Sequence, residues 1–219
     1  IKNSSFLDIE LIFFEKNYFY WTAAEKVLTR NLKNSNPSWV IICNNDIIIK
    51  TKTFFNDLYK LDGKHYNVIG PKIINKERIN LNPFMLKPLT TFRRFYWYVY
   101  FRSFYFSILL RFFSNIKGSM NLYKAQEEIK KVYAVHGSAI IFSNFFFKKG
   151  GKLDTGFKMF CEELTTAEIS KKIGCEIFYY PKLELLHNEH TSTKNANSKD
   201  LFLFAKKSHH YFLNKYINK

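Results

Sequence analysis

Cysteine is scarce in this sequence. Only Cys43, Cys161 and Cys175 occur in 219 residues, and no two of them stand at the spacing of a metal knuckle. A paired disulfide framework and a zinc knuckle are thereby excluded, and reduced thiols in a cytosolic compartment are the simplest account. A long apolar run is missing as well. The best candidate, FYWYVYFRSFYFSILLRFF, is interrupted by Arg102 and ends around Arg111. A spanning helix needs roughly 20 mostly apolar residues. No secretory signal, internal repeat or domain linker is visible. Negative charge is also in short supply: 18 acids face 34 lysines and arginines, a formal net charge of +16. Such an imbalance favours anionic partners, whether nucleic acid, anionic lipid or phosphorylated substrates.

Apolar and aromatic residues are plentiful. Hydrophobic residues make up 47% of the chain and aromatics 19%, with 24 Phe and 14 Tyr. That is enough for one sizeable globular domain over residues 1–219, and too little chain for two large ones. The first residue is Ile1 rather than Met, so a true N-terminus upstream is expected. Strand-like and helix-like segments alternate. IELIFF, residues 9–14, reads as a short strand, and TAAEKVLTRNLK, residues 22–33, has helical spacing. WVIIC, residues 39–43, has the length and β-branching of a buried strand. TKTFFNDLYKL reads as a helix with Phe54, Leu58 and Leu61 on one side, and YNVIG as a strand stopped by Gly70 and Pro71. This rhythm predicts an α/β domain with a largely parallel sheet. An aromatic and basic helical insertion is expected at about 84–118, and a basic amphipathic helix at about 199–218.

Four stretches carry chemistry. The strand WVIIC runs straight into Asn44, Asn45 and Asp46. Ligands of open α/β sheets bind beyond the carboxyl ends of the strands, where oxygen ligands suit a hard divalent cation. An Asx-rich turn leaving a strand explains the same residues. In FCEELTTAEISKKIG, Glu162 and Glu163 stand at the start of a helix and Gly174 at its end. Acids complement the positive end of a helix dipole, and a carboxylate can also serve as a general base. His187 closes the apolar strand LELLH, as a polar exit residue or as a metal or phosphate ligand. Gly137 and Ser138 open the strand HGSAIIFS, where something must approach the backbone closely.

Taken in order, VIICNND, VIGPKI, NPF, HGSAIIFS, GGKLDTGFKMFCEEL, KKIGCEIFYYP and LLHNEHTST resemble the family 2 glycosyltransferases of the GT-A fold. The rhamnosyltransferase-like branch is the most similar, over about residues 9–195. The resemblance implies a GT-A-like, mostly parallel central sheet flanked by helices. It implies a nucleotide-sugar donor, Mg²⁺ or Mn²⁺, and inverting transfer to a glycan or lipid-linked glycan in surface polysaccharide synthesis. Asn44, Asn45 and Asp46 match the strand-end donor and metal motif, with Asp46 on its last carboxylate. Glu162 and Glu163 match the acidic pair, Glu163 as catalytic base. His187 matches a histidine near metal and diphosphate, and Gly137 and Ser138 match the strand start beside the acceptor.

Departures are also evident. Thr165 and Ile169 stand where many relatives carry Asp and Arg, and Glu25 in WTAAEKV replaces an amide. The first strand–helix unit is not recognisable, and IKNSS resembles a remnant of the family's Asp-Asn-x-Ser loop. A chain lacking its N-terminal strand–helix unit is one expectation. A catalytically degenerate, transferase-like protein that binds membrane or glycan is the other. In the stretch FRRFYWYVYFRSFYFSILLRFF, arginines interleave with aromatics. This suits an amphipathic segment at a membrane interface or ordinary packing of an inserted helix pair. Nucleic acid is not expected, since no DNA- or RNA-binding motif accompanies the run. The location implied is cytoplasmic, with peripheral contact on the inner leaflet of the cell membrane.

Overall fold

β-Branched and apolar residues gather into short strands that thread between one another, as a computed structural model of residues 8–117, 127–188 and 198–218 shows. The elements are α1 (Phe19–Asn34), β1 (Trp39–Cys43), β2 (Ile47–Ile49), α2 (Phe54–Tyr59), β3 (Val68–Asn75), α3 (Thr91–Tyr100) and α4 (Phe104–Lys117). Then come β4 (Lys130–Val132), β5 (Ala139–Ser143), α5 (Asn144–Lys148), α6 (Glu162–Lys172), β6 (Ile177–His187) and α7 (Ser198–Phe212). A π-helical turn at Leu213–Ile217 continues α7. The expected segments IKNSS and HTST lie outside the described residues.

The six strands form one sheet in the order β1-β5-β3-β6-β2, with β4 also on β6. The expected GT-A-like, mostly parallel central sheet flanked by helices is not what forms. Only β3–β6 is parallel; β1–β5, β3–β5, β2–β6 and β4–β6 are antiparallel. The helices between early strands looked like crossovers joining parallel neighbours. Instead β5, arriving much later in the chain, inserts between β1 and β3 and runs against both. The result is a mixed α/β protein.

The sheet also curls. β1 and β2 stand at opposite ends of the strand order, yet only residues 44–46 separate them. Such a link reaches about 14 Å, whereas a flat sheet would hold these strands about 19 Å apart. The sheet therefore bends into a nearly closed, barrel-like form. Bonds from Asn44 N–H to the Ser138 carbonyl (2.9 Å) and from Asn188 N–H to the Asp46 carbonyl (2.9 Å) hold the bend.

Two apolar layers cover the sheet. Ile140 and Phe142 of β5 face a layer with Trp21, Leu164 and Phe212. Ala139 and Ile141 face the other, with Phe54, Leu58 and Leu183. This period-two alternation with both faces buried explains the unbroken apolar reading of β5. Trp21, 1% exposed, anchors α1 against Phe142. Burying such a side chain contributes about 2–3 kcal/mol.

Two local expectations fail. Residues 9–14 form no strand; Ile9, Leu11 and Phe13 are exposed, and no strand among the described residues pairs with them. β3 does not stop at Gly70 and Pro71 but runs through them to Asn75. A register shift between Pro71 and Lys72 absorbs the proline. A Cβ on Gly70 would lie 2.3 Å from Val135 Cγ1, so glycine is what lets the next layer pack.

α7 is fastened by one buried carboxylate. Asp154 accepts from the Tyr211 and Tyr216 hydroxyls, Lys215 Nζ and Gly156 N–H. Burial pushes its pKa up, but the bonds from Tyr216, Tyr211, Lys215 and Gly156 together outweigh this and hold it below the ordinary value.

Candidate functional site

The turn out of β1 sets the first part of the site. Asp46 Oδ1 lies 3.2 Å from His187 Nε2, and both side chains are largely shielded from solvent. β6 delivers His187 at its last position, opposite Ile47 of β2 and beside Asn75 of β3. Apolar neighbours Leu183 and Leu185 fix that strand, so the imidazole is held at its end. Asn44 is tied to Ser138 through its backbone, whereas Asn45 is exposed and stands apart from the cluster. The Asx-rich turn expected on leaving the strand forms too, as a main-chain β-turn in which Ile47 N–H reaches back to the Asn44 carbonyl (3.4 Å).

The second part is the approach of α6 to residues 136–138. Gly137 N–H donates to Glu163 Oε1 at 3.0 Å. A Cβ on Gly137 would sit 2.9 Å from that oxygen and 3.3 Å from both Glu162 Cβ and Glu163 Cδ. What approaches this backbone closely is thus the acid pair itself, and glycine leaves it the room. Glu162 Oε2 accepts the Cys161 N–H at 2.9 Å. Phe160, directly ahead, has φ +64°, a strained left-handed conformation for an aromatic residue.

Burial drives the electrostatics of this pair. Burial first, and the charge of Glu163 second, push the Glu162 carboxyl up to about 7, against backbone N–H groups of Cys161, Glu162 and Phe160 that pull it down. The Glu163 carboxyl is also raised, by burial, against the amides of Glu163 and Gly137. Two such acids titrate as a unit and retain a proton near neutrality. A carboxylate poised there is matched to taking a proton from a hydroxyl at neutral pH.

Three further residues belong to the site and were not singled out in the sequence. His136 bridges its two halves. Its Nδ1 faces Ser138, 3.2 Å from the N–H, which donates to it, and 2.9 Å from the hydroxyl. The His136 ring centre is 6.4 Å from that of His187. Asn82, buried, accepts the His136 N–H at 2.7 Å and donates to the Pro71 carbonyl at 2.8 Å, fixing the segment on β3. Tyr20 of α1 has a buried hydroxyl with no hydrogen-bond partner among the described residues. Burial raises its pKa most, followed by the charges of Cys43, Glu162 and Glu163, so it stays a neutral donor facing both halves. Their sequence signal was position alone: His136 and Asn82 open the stretches HGSAIIFS and NPF that carry the resemblance, and Tyr20 lies just ahead of WTAAEKV.

Tyr20 and Cys43 also line a groove of about 600 Å³ between α1 and β1, together with Ala24, Leu28, Trp39 and Ile41. Glu25, the acid standing in place of an amide, turns away from binding chemistry and accepts the Leu153 N–H at 3.0 Å. Thr165 and Ile169 are buried in the packing of α6.

Asp46 and His187 are the residues suited to a divalent cation. Bonds of about 2.1 Å at right angles leave neighbouring donors about 3.0 Å apart, close to the 3.2 Å between Asp46 Oδ1 and His187 Nε2. Among the described residues, no three His, Cys, Asp or Glu side chains form a metal cage by themselves. Mg²⁺ characteristically takes one or two protein ligands and completes its shell with water and phosphate oxygens. No protein-family model matches the sequence, and comparison with the curated proteins returns no match.

Proposed function

We propose that the protein transfers a sugar, with inversion, from a nucleoside-diphosphate donor to a hydroxyl of a glycan or lipid-linked glycan in surface polysaccharide synthesis. The observation that carries this reading is the Gly137 N–H···Glu163 contact, which sets a proton-retaining acid pair one residue from the Asn44–Ser138 bond to the Asp46 turn. A base and a cation-ready carboxylate–imidazole pair thus share one rim of the sheet. Glu163 takes the proton of the acceptor hydroxyl. The freed oxygen bonds to the anomeric carbon, and the bond from that carbon to the donor diphosphate breaks, its electron pair leaving with the nucleoside diphosphate. Asp46 and His187 would hold Mg²⁺ or Mn²⁺, whose charge offsets that of the diphosphate. Tyr20 supplies a neutral O–H donor beside the acids. An acceptor of this kind puts the protein on the cytoplasmic side of the cell membrane, in peripheral contact with its inner leaflet.

The test is release of nucleoside diphosphate from a panel of nucleotide sugars with Mn²⁺, in wild type and Glu163→Gln. Loss of turnover in the variant with donor binding retained is expected; unchanged turnover refutes the base assignment. Asp46→Ala should abolish metal-dependent donor binding by calorimetry. One observation favours a second reading, a non-catalytic glycan- or membrane-binding protein: Thr165 and Ile169 are packed inside, so α6 adds no charged group to the site beyond its acid pair. Binding of donor or glycan without any donor cleavage would select it.

A further inference from the structure

We propose that the hairpin of α3 and α4 is a membrane-docking surface that seats in the headgroup layer of an anionic bilayer. None of the residues of α3 is buried. Its inner side packs on α7, with Trp97 and Phe101 at 4.5 and 4.9 Å from the His209 ring. Its outer side carries Phe92, Phe95 and Tyr98 at three-residue spacing, and α4 continues the row with Tyr105, Phe106 and Leu109. All six are exposed, Phe92 to 80% and Tyr105 to 78%. Packing of an inserted helix pair, the bland expectation, would have covered these side chains.

Exposed aromatics in such a double row mark an interaction surface. The occupant follows from charge. Arg93 and Arg102 are exposed beside the aromatics, and the chain carries +16 overall. Phe and Tyr rings at headgroup depth, with arginines on lipid phosphates, form the pattern of an interfacial amphipathic helix. Among the described residues no helix is long and apolar enough to cross a membrane. The inference uses nothing at the acid pair and stands apart from the proposed transfer.

The experiment is flotation of the full chain with vesicles of phosphatidylcholine alone or with about one-third phosphatidylglycerol. Wild type should bind the anionic vesicles at least tenfold better. The triple variant Phe92→Ser, Phe95→Ser, Tyr105→Ser should lose roughly tenfold or more of that binding. Arg93→Glu with Arg102→Glu should lose roughly fivefold per arginine at low salt. All these side chains are exposed, so thermal melts of both variants should match wild type, which keeps loss of binding distinct from misfolding. Equal vesicle binding by wild type and the triple variant overturns the proposal. So does a solution dimer that the triple variant dissociates, or tighter binding to single-stranded oligonucleotide than to anionic vesicles.

Discussion

Glu163→Gln should make the protein more stable at alkaline pH and no more stable at acid pH. Both carboxyls have folded-state pKa values raised above their unfolded values, so the folded state binds more protons than the unfolded state between them. Stability is then full below about pH 4.5, where both states are protonated, and falls as pH rises toward 7 and beyond. For Glu162 the rise from 4.5 to about 7 corresponds to at most about 3.4 kcal/mol at 1.36 kcal/mol per unit. Partial solvent screening brings this to about 2–3 kcal/mol. Glutamine has the shape of glutamate and retains an oxygen to accept the Gly137 N–H, so packing is conserved. It removes the Glu163 charge and its burial cost, leaving Glu162 raised by burial alone. The variant should therefore be more stable than wild type at about pH 8, by the Glu163 burial cost and that part of the Glu162 shift which its charge causes, seen as a higher Tm. At about pH 5 the gain should shrink to about zero. Circular-dichroism melts of both proteins at the two pH values measure this, and taking the difference cancels the general effect of the +16 charge. Parallel pH profiles for the two proteins would refute the shared-proton account of the pair.

Gly137→Ala places a methyl group 2.9 Å from Glu163 Oε1. Displacing that carboxylate should cut turnover by about tenfold to a hundredfold, measured by nucleoside diphosphate release, with a fall in Tm of only a few degrees. Asp154→Ala removes four accepted hydrogen bonds and should cost about 3 kcal/mol. Limited proteolysis should then cut α7 before the rest of the chain. His209 is buried against Trp97 and Phe101 with neither ring nitrogen bonded among the described residues. Burial first and His210 second lower its pKa to about 4. The neutral ring therefore contributes stability that is full above about 6.5 and is lost as pH falls toward 4. His209→Leu should remove that acid sensitivity, seen as a Tm gap over wild type that widens from about pH 7 to about pH 4.5.

Particular residues show how far the sequence carries. β1 was legible as a strand because its five residues are unbroken apolar, three of them β-branched, but it is not the fully buried strand expected: it stands at the end of the strand order, with Ile42 alone buried and Cys43 exposed. α6 was legible from Glu162 and Glu163 in its first turn, Lys171 and Lys172 in its last, and Gly174 at φ +66° beyond it. Strand partners were not legible. Nothing in WVIIC says that residues 139–143 will run against it, and that pairing decides mixed against parallel. The proline at position 71 looked like a stop because its accommodation depends on Val135 filling the space at Gly70 and Asn82 binding the Pro71 carbonyl. At the site, Asp46, Glu163 and His187 stood out because charge or imidazole interrupts an apolar pattern. Tyr20 and His136 did not, since aromatic residues abound and their roles come from neighbours distant in sequence.

The short link from Cys43 to Ile47 has a consequence for how the chain assembles. β1 and β2 are adjacent in sequence but cannot satisfy each other. One waits for β5 and the other for β6, each roughly a hundred residues or more downstream. Contacts that distant are slow to form. On a ribosome, the edge of β1 emerges long before its partner and is open to any other extended chain in the interval. Substitutions at Asn44–Asp46 should therefore lower the yield of soluble protein as well as alter the finished site, because the same three residues must first bring the two ends of the sheet together.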